Sequence, residues 1–334
     1  MKLKDKQLVI LTTHFGTNFS GGSTATCEIF SRLEQEFRGV TVIGTQLGVH
    51  PFKSLNFVKY NNWREAVTFV RQWIQQESVF YGDFYNAFLF LLARVPFYFT
   101  YHDNWPEMRQ FGLKNRIRSL FYTTAYIRIF RSAKHVFSVS HHKAEFIRKF
   151  TDRVSVVRNG FSSIKAPTTE KTSNVLMAGN IDQRKYARAL DLFRLLKQQG
   201  HIKVQIHIFG RVNDQVLADE LSRFSFVRIM GFQEQVPYGD YAFLLHTSVM
   251  ENLPITFCEA LHNGLPVLAF NVGGSAEIIG ANQGILVPPY SIERLAHAFV
   301  EMNKANEADF QCQVPTEYSW DVCSKEYLNI ISTT

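Results

Sequence analysis

A chain of 334 residues, 46% hydrophobic and 19% charged, is too long for one ordinary core and too apolar for disorder, so two globular domains of roughly 150 residues are expected. No run reaches the ~20 apolar residues a membrane span needs: the most apolar stretch, Asn86 to Thr100, is broken by Arg94 and Pro96. The four cysteines form no C-x-x-C pair, which argues against a zinc site or a disulfide framework and for a reducing cytoplasm.

In chain order, Lys2, Lys4 and Lys6 precede Leu8–Thr12, an apolar run too short for a signal-peptide core and expected to form a first buried strand. The loop Thr13 to Ser23, with Gly21 and Gly22, leads into a helix from about Ser23 to Phe37, followed by a strand over Val40–Thr45. Helices are expected over Asn62–Gln76 and Phe84–Arg94, then a strand over Phe97–Tyr101. The strand Val136–Ser140, the helix His141–Phe150 and the strand Val154–Val157 complete the first half, and the polar segment Ser162–Ser173 reads as a linker. The pattern then restarts: strand Asn174–Met177, helix Ala187–Gln198, strands Val204–Phe209, Val227–Ile229 and Ala242–Thr247, strand Val267–Phe270, helix Ser291–Ala305, and a closing amphipathic helix over Thr316–Ile331. Strands alternating with helices predict parallel sheets.

The net charge of +7 is unevenly placed. Residues 105–150 carry ten basic side chains against two acidic ones, Glu107 and Glu145, so this segment is +8 and the remainder −1. Leu120, Phe121, Tyr122, Tyr126, Ile127, Ile129 and Phe130 interleave with the arginines, the pattern of an interfacial helix on anionic lipid and equally of a solvated helix packed on a core. No nucleic-acid-binding motif accompanies the charge, so nucleic acid is not expected as a partner.

The most informative run is Ser248-Val249-Met250-Glu251-Asn252-Leu253-Pro254-Ile255-Thr256-Phe257-Cys258-Glu259-Ala260. Asn252 or Leu253 suits the half-in position before a helix, Pro254 suits its first turn, and Gly264 its end. Pro254, Phe257, Cys258 and Leu261 fall on one apolar face, with Glu259 directed roughly opposite. At ~1.5 Å rise per residue the helix start and Glu259 are on the order of 10 Å apart, the span from a sugar across a diphosphate to a ribose. Orphan N–H groups at the helix start would attract phosphate between them.

This run, continued by Ala260-Leu261-His262-Asn263-Gly264-Leu265-Pro266-Val267 and Gly273-Gly274-Ser275-Ala276-Glu277, resembles the E-x7-E, E-A-x-x-x-G-x-P-V and G-G-x-x-E sequence of the retaining group 1 (family four) glycosyltransferases. The resemblance spans nearly the whole chain and is strongest over residues 174–280. It implies an α/β GT-B fold, two Rossmann-like parallel-sheet domains facing across a cleft: residues 1–165 on the acceptor side, residues 172–315 on the donor side, and a helix over 316–334 crossing back to the first domain. Glu251 would meet the donor sugar and Glu259 the nucleotide ribose, with Asn252, Leu253 and Pro254 lining the donor site. His102, in Tyr101-His102-Asp103-Asn104-Trp105-Pro106, matches the family's H-D-x-x-P segment and would act beside the reacting centre, with Asp103 fixing the loop or the His tautomer. Gly21 and Gly22 match the first-strand glycine loop.

Gly179-Asn180-Ile181-Asp182-Gln183-Arg184-Lys185 stands where the family has an Arg and a Lys that neutralise the diphosphate. Lys185 fits, whereas Asn180 replaces the Arg, Tyr186 replaces a following Gly, and Asn252 replaces the Gly usual after the first Glu. Arg184 can restore the missing charge, or Asn180 can hydrogen-bond a phosphate. The implied enzyme is a retaining, hexosyltransferase-type glycosyltransferase in bacterial surface polysaccharide or glycolipid assembly. It would use a nucleoside diphosphate sugar donor and a lipid-linked or saccharide acceptor, with no metal or other cofactor. It would be cytoplasmic, with residues 109–149 meeting an anionic inner membrane face. A nucleotide-sugar epimerase of similar fold and a non-catalytic nucleotide-sugar-binding module are the alternatives.

Overall fold

The structure is a computed structural model that describes residues 3–161 and 170–334. It divides into two compact units, Met1–Gly160 with Thr316–Thr334, and Phe161–Pro315. Of the expected linker, residues 162–169 lie outside the described residues, and Thr172 already belongs to the second unit, its N–H donating to the Asp240 carbonyl at 2.9 Å.

The first unit opens with β1 (Gln7–Leu11), β2 (His14–Phe15), α1 (Gly21–Arg32), β3 (Gly39–Gly44), β4 (Gln46–Leu47), β5 (Asn56–Lys59), α2 (Trp63–Gln72) and β6 (Ser78–Gly82). It continues through α3 (Phe88–Ala93), β7 (Phe97–Tyr101), α4 (Leu113–Ser132), β8 (His135–Ser138), α5 (His141–Arg148) and β9 (Val154–Val156). The second unit holds β10 (Val175–Ala178), α6 (Gln183–Gln198), β11 (Ile206–Phe209), α7 (Gln215–Ser222), β12 (Val227–Gly231), β13 (Phe243–His246), α8 (Ile255–His262), β14 (Val267–Phe270), α9 (Ser275–Ile278), β15 (Gly284–Val287) and α10 (Ile292–Met302). The closing helix α11 (Trp320–Thr333) packs in the first unit.

Both main sheets are parallel among the described residues, with strand orders β5-β3-β1-β6-β7-β8-β9 and β12-β11-β10-β13-β14-β15. Each order reverses once, between β1 and β6 and between β10 and β13, and at such a reversal the neighbouring connections leave in opposite directions and open a crevice at the carboxyl ends of the strands. Helices cover both faces, so strands such as β1 (Gln-Leu-Val-Ile-Leu) are buried along their whole length and read as unbroken apolar runs.

One central strand escapes the sequence reading, and the basic segment read as a helix gains its bounds. Strand β6, Ser-Val-Phe-Tyr-Gly, lies beside β1 at the reversal, yet Val79-Phe80-Tyr81 is too short an apolar run between helical stretches to mark it as a strand. Helix α4 is continuous over 20 residues and begins after Gly112 (φ +88°). The first helix also stops at Arg32, short of Phe37, because Phe37 turns into extended backbone and buries its ring in the core. The basic segment is correspondingly less uniform than its composition: Lys143 is 1% exposed and ion-paired with Glu107, and the Arg131 guanidinium lies over the Phe150 ring at 6.0 Å. Both are tied into the fold of the first unit.

Helix α11 inserts Trp320, Cys323, Tyr327 and Ile331, at i, i+3, i+7 and i+11, into the cluster of Leu8, Ile10, Phe30, Tyr98 and Phe137. The Tyr327 ring stacks on Phe137 at 4.0 Å, and Thr100 Oγ1 bridges Tyr81 and Tyr327 at 2.7 and 2.9 Å. Gly160 admits this packing, since a Cβ there would sit 2.3 Å from the Trp320 nitrogen. Tyr327→Ala leaves a cavity and breaks the hydroxyl bridge, so the expected loss is about 3–5 kcal/mol of stability. Urea denaturation beside wild type measures it, and a loss under about 1 kcal/mol would mean that α11 is not part of the first unit's core.

Candidate functional site

The chemistry-bearing side chains of the second unit gather at the carboxyl ends of β10 and β13, its strand-order reversal. After β10 the chain turns through Gly179 (φ +132°) and Asn180 into α6, which Asp182 caps by accepting from the Lys185 N–H at 3.0 Å. A Cβ on Gly179 would meet the Lys185 ammonium at 2.8 Å, so this glycine makes room for the cation. Gly210 (φ +153°) approaches the Gly179 carbonyl in the same way. The chain leaving β13 is sewn to the start of α6, with the Thr247 hydroxyl donating to the Lys185 carbonyl at 2.6 Å and the Val249 N–H to the Arg184 carbonyl at 3.1 Å.

That stitching sets Glu251 among cations. Burial works to raise its pKa, but Lys185, the His246 hydrogen bond and Arg184 outweigh burial and hold the carboxyl far below its ordinary range. His246 Nε2 lies 3.1 Å from Glu251 Oε1. Burial, with Lys185 and Arg184, keeps His246 below its ordinary pKa despite Glu251, so the ring is neutral and its Nε2–H donates to the ionised carboxylate. Gly273 (φ +57°) fixes the loop from the other side, for a Cβ there would fall 1.8 Å from the Glu251 carbonyl oxygen, and the Gly274 N–H donates to the Asn252 carbonyl at 2.9 Å. The G-G-x-x-E glycines therefore position the first Glu of E-x7-E.

Pro254 caps α8, in place of Asn252 or Leu253, and both of those side chains are buried. Glu259, on the side of α8 away from Phe257, Cys258 and Leu261, is held in place: its Oε2 accepts from the Tyr238 hydroxyl at 2.7 Å, and burial raises its pKa against the opposing pull of Tyr238 and Lys185. Lys185 thus acts on both glutamates. Asn180 Oδ1 accepts from the Arg211 N–H at 3.2 Å, and Arg184 is half-buried and pairs with Asp182 at 3.6 Å. Arg211 itself lies 4.5 Å over the exposed ring of Phe232, beyond the ends of β11 and β12.

The first unit gathers a separate group at its own strand ends. His102 follows β7, and burial lowers its pKa to about 4, so the ring is neutral near pH 7. Gly22 packs against it: a Cβ there would meet His102 and Phe84 at 3.0 Å. Gly21 faces open space, and both glycines lie in the first turn of α1, behind Ser20, which caps it. The loop after His102 is tethered throughout, with Tyr126 donating to Asp103, Tyr101 to the Trp105 carbonyl, Lys143 pairing with Glu107, and the Trp105 ring stacked on Tyr122 at 4.9 Å. Asp103 therefore braces the loop through Tyr126.

Two family models divide the chain, "Glycosyl transferases group 1" over residues 161–312 and "Glycosyltransferase Family 4" over residues 27–163. The chain belongs to the group 1 glycosyltransferases. Its fold is that of GT-B enzymes. Among solved structures, Anabaena Alr3699/HepE in complex with UDP and glucose matches with a TM-score of 0.75 at 15% identity, covering 98% of this chain and 100% of that one. WaaG, a glycosyltransferase involved in lipopolysaccharide biosynthesis, matches at 0.72 and 17%, covering 96% and 95%. Sucrose-phosphate synthase from Thermosynechococcus elongatus matches at 0.75 and 14%, covering 98% and 100%. No curated protein sequence matches.

The structure accounts for one departure from the glycosyltransferase pattern. Tyr186 is buried and its hydroxyl donates to the Gly179 carbonyl at 3.0 Å, so the ring that replaces a glycine holds the loop over which Lys185 lies. His246, Tyr238 and Lys143 have partners distant in sequence or sit in apolar runs, so no local motif marks them. Asp83, at the end of β6, is another such residue. It is buried, accepts from the Thr26 hydroxyl at 2.8 Å, and burial raises its pKa to about 7. The native state then holds a proton there that an unfolded chain releases near pH 4. Asp83 stability is present below about pH 4 and declines as pH rises through about 7. Asp83→Asn should flatten the fall of stability between pH 4 and 8, read as unfolding midpoints at stepped pH. Parallel curves for the two proteins would refute the raised pKa.

Proposed function

We propose that this glycosyltransferase is a retaining enzyme that moves a hexosyl group from a nucleoside diphosphate sugar to an acceptor hydroxyl, in the assembly of a bacterial surface polysaccharide or glycolipid. The observation that carries the reading is the cluster at the strand-order reversal of the second sheet, where Glu251 accepts from His246 at 3.1 Å and the nearby charge of Lys185 lowers its pKa. UDP and glucose in HepE and the lipopolysaccharide role of WaaG support the donor class and the setting.

In this reading Glu251 holds the hydroxyls of the donor sugar and Glu259 the ribose. Lys185 and Arg184, with Asn180 and the backbone around Asn252, Leu253 and Pro254, meet the diphosphate. Charge grows on the departing diphosphate as the sugar leaves, and groups already aimed at it need no rearrangement in the transition state. Neutral His102 serves the sugar as a hydrogen-bonding group and not as a cation, with Gly21 and Gly22 beside it giving the acceptor close approach to the start of α1. The acceptor is a lipid-linked or saccharide hydroxyl compound, reached at an anionic inner membrane face through the basic helix.

Thermal shifts with UDP-, GDP- and ADP-hexoses identify the donor, and the anomeric configuration of the product by NMR tests retention, with inversion refuting it. Glu251→Ala should abolish transfer without unfolding the protein. Glu259→Ala should weaken donor binding by roughly 1.5–3 kcal/mol, the contribution of a hydrogen bond to a charged group. Lys185→Ala should lower kcat more than donor affinity, and an equal effect of Arg184→Ala would make Arg184 the replacement for the absent Arg. Wild-type transfer by both glutamate variants sinks the assignment, and epimerised donor in place of free nucleotide would move the protein to another reaction.

For the membrane surface, flotation on anionic vesicles should exceed that on neutral ones and fall as salt rises. An Arg116→Gln, Arg118→Gln, Arg128→Gln protein should lose it. Equal flotation of variant and wild type would remove the arginines from any membrane role.

A further inference from the structure

The first unit contains an apolar cavity of about 760 Å³ that the donor chemistry leaves unused. Its volume is within the roughly 300–1,000 Å³ of small-molecule sites. Trp63, Tyr85 and Phe88 line one side, and Ile117, Leu120 and Phe121 of α4 the other. These three α4 side chains are 68%, 76% and 67% exposed, an apolar surface that a water-soluble fold does not leave bare without a use. The lining also includes the polar residues Thr13, Thr45, Asn61 and Asn86, and the exposed Arg128. Helix α4 has no acidic residue, while Lys114, Arg116, Arg118, Arg128 and Arg131 all project from it.

The cavity adjoins the His102 group. Phe84 packs against His102 and the Gly22 position, and the next residue, Tyr85, lines the cavity. Tyr85 meets Tyr122 at 5.1 Å, and Tyr122 stacks on Trp105 of the His102 loop at 4.9 Å. The Tyr85 side of the cavity thus adjoins the group that the transferase reading assigns to the reaction.

We propose that the acceptor is an anionic amphiphile, that its hydrocarbon chain occupies this cavity, and that Arg128 meets its negative head. The proposal rests on the transferase reading given above. The apolar walls select the chain, the uniformly basic helix selects the charge, and the exposed Arg128 guanidinium matches a phosphate or carboxylate head. A sugar phosphate would leave the apolar walls wet, and a neutral lipid would leave Arg128 without its counter-charge.

The probe is dodecyl phosphate below its micelle concentration, titrated calorimetrically into the full-length protein beside dodecyl maltoside and inorganic phosphate. Dodecyl phosphate should bind with one-to-one stoichiometry, and the two comparators at least ten-fold more weakly. Leu120→Ser with Phe121→Ser should weaken dodecyl phosphate at least ten-fold, and because both side chains are exposed the fold is retained, as circular dichroism will report. Arg128→Gln should bring dodecyl phosphate and dodecyl maltoside to similar affinity. Absence of saturable binding, unchanged binding by the serine variant, or vesicle flotation without monomer binding would overturn the proposal. So would a dimer that the serine variant dissolves, since a second copy would then be the occupant. UDP, GDP and ADP titrated into the same proteins separate the two readings: binding of any of them without dodecyl phosphate binding refutes the cavity alone, and failure of all three with every protein refutes the donor reading.

Discussion

An ionised carboxylate taken out of water must be met by cations and donors, or it takes up a proton. Glu251 meets that condition through Lys185, His246 and Arg184, and much of the second unit's local architecture serves this one requirement. Gly179 leaves space for the Lys185 side chain, Tyr186 holds the Gly179 carbonyl, and Thr247 and Val249 tie the Glu251 strand to the backbone of Arg184 and Lys185. Gly273 closes on the Glu251 carbonyl at a distance no side chain would permit.

The first unit solves a different problem. Its strand ends carry buried acids whose pKa values are raised, Asp83 and Asp103, and a buried histidine whose pKa is lowered. Desolvation dominates in all three, so the region favours neutral hydrogen-bonding groups where the Glu251 loop of the second unit favours charge. That contrast suits a division of labour in which one unit receives a diphosphate and the other a hydroxyl compound. Lys143 is the exception, and its ion pair with Glu107 shows that a cation is admitted there only with a partner at hand.

Helix α4 carries both characters. Its inner face supplies Ala125, Tyr126, Ile129 and Phe130 to the core, and Tyr126 braces the His102 loop through Asp103. Its outer face presents Ile117, Leu120 and Phe121 to the cavity with arginines around them. A single helix therefore links the position of His102 to the surface that receives an amphiphile.

The sequence alone determined the alternation of strands and helices, because fully buried parallel strands must be apolar throughout and helices must show one apolar face; Phe97–Tyr101 and Val267–Phe270 were legible to the residue. It also marked Glu251 and Glu259 as candidates, since their spacing to Pro254 and Gly264 is local along the chain, while Lys185 and His102 came from the resemblance of the Gly179–Lys185 and Tyr101–Pro106 segments to family motifs. Strand β6 was not legible, because its apolar run is only Val79 to Tyr81, and its place beside β1 follows from pairing with a partner some seventy residues away. Nor was the protection of Glu259 by Tyr238, the bond from His246 to Glu251, or the burial of Lys143. Burial and charge pairing depend on which groups arrive from other strands and helices. Only tertiary structure brings them together, and with them it decides which side chains are ionised.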